Sequence, residues 1–257
     1  PFAAIYSTFM QRAYDQVMID VCMQNLPVVF CLDRAGVVGA DGETHQGVFD
    51  LSYMIPMPNL TVLAPSDASR LRTLLEYTLQ LDGPVSIRYP RGEATDLSKY
   101  TELTDSHGNA DRPHTRVLRR GSDVTLAGCG SMTVVCLKAA EFLAGRGIES
   151  TVIDAEIIKP MSGRDRMIYR KAAQETGLVF TVEDNVIAGG YGSIVEDLLR
   201  TAYAENDEPD AVIRIWNING PILVLGSELD SMCPDVETIR RYGAQLKEHA
   251  FPHRFES

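Results

Sequence analysis

Two segments near the start of the chain carry guanidinium groups that could bind an anion. Arg34 follows the apolar run 27–32, and Arg88 and Arg91 flank a proline at the end of a second apolar run. Guanidinium groups form paired hydrogen bonds with phosphate or carboxylate, so these arginines predict an anion site. Structural ion pairs, such as one between Arg34 and Asp33, are the competing interpretation.

Between these arginines lies a glycine-rich loop, 36–47, that carries ionisable and polar side chains, among them Asp41 and the candidate proton-transfer residue His45. Its glycines stand at positions 36, 39, 42 and 47, and such a loop lets the backbone approach a ligand closely. An imidazole transfers protons near neutral pH. A surface histidine on a solvated loop is the alternative, but the glycine spacing and the nearby Arg34 favour function.

Alternating strands and helices are predicted to position these groups. Before residue 93, apolar runs predict strands at 3–6, 27–32, 60–64 and 85–89, with helices at 8–25 and from 65 to about 81. After residue 120, strands are predicted at 124–127, 150–154, 178–182 and 211–216, with helices at 132–145, 163–176, 193–204 and 235–247. This alternation predicts mainly parallel sheets with helices on both faces. Ligands bind beyond the carboxyl ends of such strands, where the arginines lie.

The domain organisation is predicted from residues 93–120, where the periodic spacing of apolar residues is lost and polar residues dominate. This stretch is predicted to be a linker. The fold class is therefore predicted to be α/β, as two consecutive three-layer domains at 1–92 and 121–257.

Composition excludes several classes of partner. The net charge of −11 argues against nucleic acid and anionic membranes. No apolar run reaches transmembrane length and no signal peptide is recognisable, so a cytoplasmic location is expected. The five cysteines lack CxxC spacing, and we expect them to be buried in a reducing compartment, with no metal site among them.

A second glycine-rich segment, 189–193, follows the acidic residues Glu183 and Asp184 at the end of a predicted strand. Glycines at a helix N-terminus can bind phosphate. The spacing departs from the dinucleotide motif GxGxxG, so a tight turn from strand to helix is the favoured interpretation.

Taken together, these segments resemble the 1-deoxy-D-xylulose-5-phosphate synthase family, thiamine diphosphate enzymes of the transketolase superfamily. The likeness covers nearly the whole chain, apart from 103–118 and the last few residues. The matching strings are AIYSTF (4–9), QRAYDQ (11–16), DRAG (33–36), GADG (39–42), THQG (44–47), FDLSY (49–53), APSD (64–67), RYPRG (88–92), TVEDN (181–185) and GGYGS (189–193).

The resemblance implies a transketolase-like pyrimidine-binding domain followed by a transketolase C-terminal-like domain. It also implies a reaction that joins pyruvate to D-glyceraldehyde 3-phosphate with loss of CO2. The product, 1-deoxy-D-xylulose 5-phosphate, leads to isoprenoid precursors, thiamine and pyridoxal. Within this family, Arg34 and Arg91 match the positions that grip the aldehyde's phosphate, in a pocket lined by Tyr6 and Ser7.

The resemblance also assigns groups near the reacting centre and the cofactor. Asp41 and His45 match positions that transfer protons or contact substrate hydroxyls. Phe9 matches the aromatic ring that packs on the aminopyrimidine of thiamine diphosphate, and Arg12 lies close to it.

Part of the family's machinery is not found in the sequence. No Gly-Asp-Gly motif occurs, and no glutamate precedes Glu43. The magnesium and diphosphate site and the activating glutamate are therefore expected on an N-terminal domain outside this chain, which by itself is expected to be an inactive homodimer. The alternatives are the small subunit of a split transketolase or 2-oxo-acid dehydrogenase, against which the DRAG and THQG strings speak, and a non-catalytic dimerisation module.

Overall fold

The computed structural model describes residues 1–93, 95–100, 103, 112–205 and 214–217, and for 201–205 and 214–217 it describes the backbone alone. The predicted helix 235–247 and Cys233 lie outside the described residues. Two five-stranded sheets with flanking helices form the framework. The predicted α/β fold class is confirmed.

The first sheet consists, in spatial order, of β1 (Phe2–Tyr6), β2 (Val29–Asp33), β4 (Val85–Arg88), β3 (Thr61–Leu63) and β8 (Ile157–Lys159). Its first four strands are parallel, and β8 runs antiparallel to β3. The elements of this part of the chain are β1 (Phe2–Tyr6), α1 (Ser7–Met10), a 3-10 turn (Gln11–Ala13), a π-helix (Gln16–Cys22), β2 (Val29–Asp33), a 3-10 turn (Glu43–His45), α2 (Asp50–Met54), β3 (Thr61–Leu63), α3 (Ala68–Thr78) and β4 (Val85–Arg88).

The second sheet consists, in spatial order, of β10 (Arg214–Asn217), β9 (Leu178–Val182), β6 (Val124–Cys129), β7 (Ser150–Ala155) and β5 (Arg116–Arg119). It is parallel except for β5, which runs antiparallel to β7. The remaining elements are β5 (Arg116–Arg119), β6 (Val124–Cys129), α4 (Met132–Ala144), β7 (Ser150–Ala155), β8 (Ile157–Lys159), α5 (Gly163–Thr176), β9 (Leu178–Val182), α6 (Tyr191–Glu205) and β10 (Arg214–Asn217).

Two short strands correct the sequence-based organisation. β5 lies inside the predicted linker 93–120, and β8 lies in the predicted second domain yet completes the first sheet. Each has only two apolar residues in its run, Val117 and Leu118 in β5 and Ile157 and Ile158 in β8, and all four are buried. A run this short gives no period, so these strands are fixed by contacts distant in sequence.

Local signals set the ends of several helices. The Asp67 side chain accepts a hydrogen bond from the Arg70 backbone N–H and caps the N-terminus of α3, two residues after the predicted helix start at residue 65. α5 begins with a capping box between Ser162 and Asp165 and ends at Gly177, whose φ is 66°. The predicted helix 8–25 is helical over 7–22, but as α1, a 3-10 turn and a π-helix.

The core confirms the role predicted for four of the five cysteines. Cys22, Cys31, Cys129 and Cys136 are free thiols and are buried. Burial raises the pKa of Cys129 well above its usual value, so this thiol stays protonated. Among the described residues, no helix is long and apolar enough to cross a membrane.

Candidate functional site

The candidate site forms where three neighbouring strands of the first sheet end. Tyr6 is in register with Asp33, and Leu32 is in register with Arg88. The carboxyl ends of β1, β2 and β4 therefore lie side by side, and the segments that follow them meet at one edge of the sheet.

Asp41 brings the two predicted phosphate-gripping arginines together. Arg34 Nε donates to Asp41 Oδ2 at 3.2 Å, and Arg91 donates to the other oxygen of the same carboxylate. Arg34 also pairs with Asp33. The backbone φ of Arg34 is 55°, and a left-handed conformation of this kind costs a residue other than glycine about 1–3 kcal/mol. Strain of this size is typical of functional positions.

Aromatic rings connect this cluster to the predicted cofactor and proton-transfer residues. The Arg34 guanidinium lies 3.8 Å from the centre of the Tyr6 ring, and Tyr6 stacks on Phe9 with ring centroids 5.3 Å apart. His45 meets Phe9 edge to face at 5.2 Å. The Nδ1 atom of His45 lies 3.0 Å from Thr44 Oγ1. One ring nitrogen of His45 is thus engaged by Thr44, and no hydrogen bond to the other nitrogen is formed among the described residues.

A bridge between two glycines supports the loop that carries these residues. Gly36 and Gly47 exchange backbone hydrogen bonds of 2.7 and 2.9 Å. A Cβ at Gly47 would lie 2.7 Å from Ser7 Oγ and 2.2 Å from the Arg34 carbonyl oxygen, so only glycine fits there. Ser7 is 1% exposed, and its hydroxyl has no hydrogen-bond partner among the described residues.

The structure therefore links six of the eight predicted site residues through side-chain contacts, namely Tyr6, Phe9, Arg34, Asp41, His45 and Arg91. Ser7 follows Tyr6 and lies beside Gly47 at the end of the same loop. Arg12 lies on the 3-10 turn with an exposed side chain, and among the described residues no hydrogen bond, ion pair or ring contact joins it to the group. Which of them acts on a substrate stays a prediction.

Arg88 does not extend this anion site. Its Nε donates to Asp50 Oδ2 at 2.7 Å and its Nη1 to Asp184 Oδ1 at 2.8 Å, and the residue is 4% exposed. Burial alone would lower the pKa of Arg88, but the charges of Asp184 and Asp50 raise it well above its usual value. Sequence reasoning left both roles open for Arg88, and the structure favours the ion-pair network between domains.

Glu183 is a polar residue to which sequence reasoning gave no role. Its two oxygens accept the backbone N–H groups of Tyr191 and Gly192, both at 2.8 Å, at the start of α6. Burial raises the pKa of Glu183 to about 7, although these amides act in the opposite direction. The N-terminus of α6 is thus already capped by a carboxylate, which confirms the tight-turn interpretation of 189–193. An acidic residue ending a strand before a glycine-rich helix start was the available signal.

The described residues fit thiamine diphosphate only in part. The Phe9 side chain is 37% exposed although Tyr6 stacks on it, so it offers aromatic surface to a pyrimidine ring. Within the described ranges, no group of three or more His, Cys, Asp or Glu residues could hold a metal ion. Phe9 thus offers a surface for the pyrimidine end of the cofactor, and within the described ranges no cluster of these four residue types offers a metal site for the diphosphate end.

Comparisons with known proteins agree with the two-part architecture. Residues 1–95 match the family model described as transketolase, pyrimidine binding domain. Residues 114–221 match the model described as transketolase, C-terminal domain.

Similar curated proteins are named 1-deoxy-D-xylulose-5-phosphate synthase. The proteins from Desulforudis audaxviator and Pelotomaculum thermopropionicum are 49% and 48% identical to this chain over 200 and 199 residues. Each alignment covers 77% of this chain but 30% of the relative. The chain thus matches less than a third of the length of these relatives.

Solved structures share the same fold. A split-gene transketolase, described as an inactive beta4 tetramer, is 30% identical and matches with a TM-score of 0.68 over 85% of this chain and 66% of its own. Transketolase from Campylobacter jejuni matches with a TM-score of 0.61 at 18% identity, over 86% of this chain and 31% of its own.

Proposed function

Because this chain belongs to the transketolase superfamily through both of its domains, we propose that it supplies one side of a 1-deoxy-D-xylulose-5-phosphate synthase active site. The proposed reaction condenses pyruvate with D-glyceraldehyde 3-phosphate to give 1-deoxy-D-xylulose 5-phosphate and CO2. Relatives 44–49% identical to the chain carry this name, which supports the proposal over a 2-oxo-acid dehydrogenase subunit.

The observation that carries the proposal is the convergence of Arg34 and Arg91 on the single carboxylate of Asp41. Two guanidinium groups held around one small anion make a receptor for a phosphate, whose extra charge and oxygens allow it to replace or join the carboxylate. The Tyr6 ring below Arg34 keeps the guanidinium plane in place.

The remaining residues fit the other steps of such a reaction. His45 lies next to this cluster and is half-buried, so its imidazole is proposed to move a proton at the substrate oxygen. Phe9 is proposed to contact the cofactor's pyrimidine. Thiamine diphosphate, when bound, supplies the electron sink for decarboxylation of the 2-oxo acid.

The site is proposed to need groups from outside this chain. The magnesium and diphosphate ligands and the activating glutamate are assigned to an N-terminal domain, and the protein is proposed to be a cytoplasmic homodimer. In support of association, β1 stands at one end of the first sheet as far as the described residues go, and Phe2 on it is 51% exposed.

Kinetics of a fusion protein test this proposal. The N-terminal part of the Desulforudis audaxviator relative is placed before residues 1–257, and turnover is measured with pyruvate and D-glyceraldehyde 3-phosphate. Arg34→Ala and Arg91→Ala should each raise the KM for the aldehyde phosphate at least about tenfold and that for pyruvate little. A hydrogen bond to a charged group is worth about 1.5–3 kcal/mol.

The matched control is Arg72→Ala, which removes an exposed arginine from α3 and should change neither KM. A fusion with no turnover would contradict the proposed function. Equal losses for both substrates in the Arg34 and Arg91 variants would instead show that these arginines are structural.

A further inference from the structure

Asp184 reaches from the second domain to the segment that carries Arg34. It follows β9, its side chain is 12% exposed, and it accepts a 2.8 Å hydrogen bond from Arg88 Nη1. Arg88 is in turn fixed by Asp50 at the start of α2. The position of the Asp184 carboxylate is therefore determined by two elements of the first domain.

The carboxylate of Asp184 fills the space above Gly36. A Cβ built on Gly36 would lie 2.0 Å from Asp184 Oδ2 and 2.6 Å from its Cγ. Gly36 has a φ of 85° and forms the backbone bridge to Gly47. The positive φ and the nearby Asp184 carboxylate together allow only glycine at position 36. Asp184 thus covers a glycine that lies two positions after the strained Arg34.

Docking of the two domains does not depend on Asp184 alone. Away from the site, Arg116 of β5 pairs with Asp154, which also accepts from Ser66 of the first domain. Arg70 of α3 forms a two-pronged ion pair with the buried Glu156. These contacts join the same two parts of the chain without touching the Gly36–Gly47 bridge. Holding the two domains together therefore does not by itself account for the position of Asp184 over Gly36.

We infer that Asp184 is a positioning residue that holds the Arg34 guanidinium in its phosphate-binding place, acting through Gly36. The second domain thereby contributes to recognition of the phosphorylated substrate without contacting it. This inference rests on the proposed function, because it names what sets the affinity of that same site for the aldehyde phosphate.

The test uses the same fusion protein with Asp184→Ala. A small displacement of a binding group can cost up to about a hundredfold, so the KM for D-glyceraldehyde 3-phosphate should rise by about tenfold to a hundredfold. The KM for pyruvate should change little. Asp184→Asn should recover most of the loss, because the amide still covers Gly36 and its oxygen still accepts from Arg88.

The matched control is Glu156→Gln, which weakens another buried ion pair between the domains. It should lower the free energy of unfolding without a selective rise in the KM for the aldehyde phosphate. If Glu156→Gln gives the same selective rise, or if Asp184→Ala raises both KM values equally or neither, the inference is wrong.

Binding of inorganic phosphate, measured by calorimetric titration of the fusion protein, gives a readout besides turnover. Asp184→Ala should weaken phosphate binding, and Asp184→Asn should largely restore it. If the fusion protein turns over normally but Asp184→Ala leaves its phosphate affinity unchanged, this inference is wrong and the proposed function still stands. A fusion that neither turns over nor binds phosphate overturns both.

Discussion

At the scale of single residues, the site is a set of shared contacts in which most side chains serve more than one neighbour. Asp41 holds two arginines, and Arg34 contacts Asp33, Asp41 and the Tyr6 ring. Phe9 contacts both Tyr6 and His45. Substitutions within such a group are expected to be non-additive, because each change alters the position of the next side chain.

His45→Ala should lower turnover of the fusion protein by about 10²–10⁴-fold, the usual value of positioned proton transfer. The effect on folding should be small, since the half-buried ring loses one aromatic contact worth about 0.5–1.5 kcal/mol. Turnover and urea unfolding measured on the same samples separate the two effects. His114→Ala, a histidine away from the site, is the control, and wild-type turnover in His45→Ala would remove His45 from the mechanism.

The sequence predicted which residues belong to this cluster better than it predicted which residues each arginine contacts. Arg34, Arg91, Asp41 and His45 stand out in the sequence because their segments follow apolar runs, and the fold brings these four residues together. The Arg88 network was not predictable, because its partners lie 38 and 96 residues away in the sequence. Only tertiary structure decides which of two neighbouring arginines, Arg88 or Arg91, becomes buried.

At the scale of elements, strand ends and helix starts do most of the positioning. The site residues follow β1, β2 and β4, whose carboxyl ends lie at one edge of the first sheet. Glu183 and Asp184 follow β9 and lie at the domain boundary. Long periodic elements such as α5 were predictable to the residue, because a capping box and a C-terminal glycine mark its ends. β5 and β8 were not, since each pairs with a strand through contacts that a short apolar run does not encode.

Glu183, which caps the N-terminus of α6, is expected to make the free energy of unfolding depend on pH. Its pKa rises from 4.5 to about 7 on folding, chiefly through burial. Between pH 4.5 and about 7, Glu183 binds more protons in the folded chain than in the unfolded chain. Because of Glu183, the free energy of unfolding therefore falls as the pH rises through this window. Glu183→Gln should remove this contribution, up to about 1.4 kcal/mol for each pH unit inside the window.

Urea unfolding of the wild type and of Glu183→Gln across pH 5 to 8 measures this difference in slope. Glu76→Gln, an exposed glutamate on α3, controls for the loss of one carboxylate from the surface. The Gln side chain can accept only one of the two backbone N–H groups, so the variant should also lose a pH-independent amount of stability. Parallel curves for wild type and Glu183→Gln would rule out the predicted titration.

At the scale of the whole molecule, the two domains form one packed unit. One core cluster contains Leu32 of the first sheet together with Ala127 and Ile153 of the second. Buried ion pairs cross the boundary at two separate places, between Arg88 and Asp184 and between Arg70 and Glu156. Because a buried charge that loses its partner costs about 3–5 kcal/mol, we expect the domains to unfold together.

Residues 1–257, prepared without the N-terminal part of their relatives, should fold yet neither bind thiamine diphosphate tightly nor turn over substrate. Folding is expected because both sheets and the shared core lie within the chain. Weak binding is expected because the described residues offer a pyrimidine surface at Phe9 but no cluster of metal ligands. The magnesium-bound diphosphate, which carries most of the cofactor's charge, needs oxygen ligands, and these are proposed to lie on the N-terminal domain.

Calorimetric titration of this polypeptide with thiamine diphosphate and magnesium decides the point, with circular dichroism to establish that it is folded. The fusion protein, titrated under the same conditions, is the positive control and should bind at least about tenfold more tightly, since the diphosphate ligands are then present. Phe9→Ala should weaken binding in the fusion, because the exposed ring is the proposed pyrimidine contact. Micromolar binding by residues 1–257 alone, or decarboxylation of pyruvate above background, would place the diphosphate site within this chain and contradict the division of the active site proposed above.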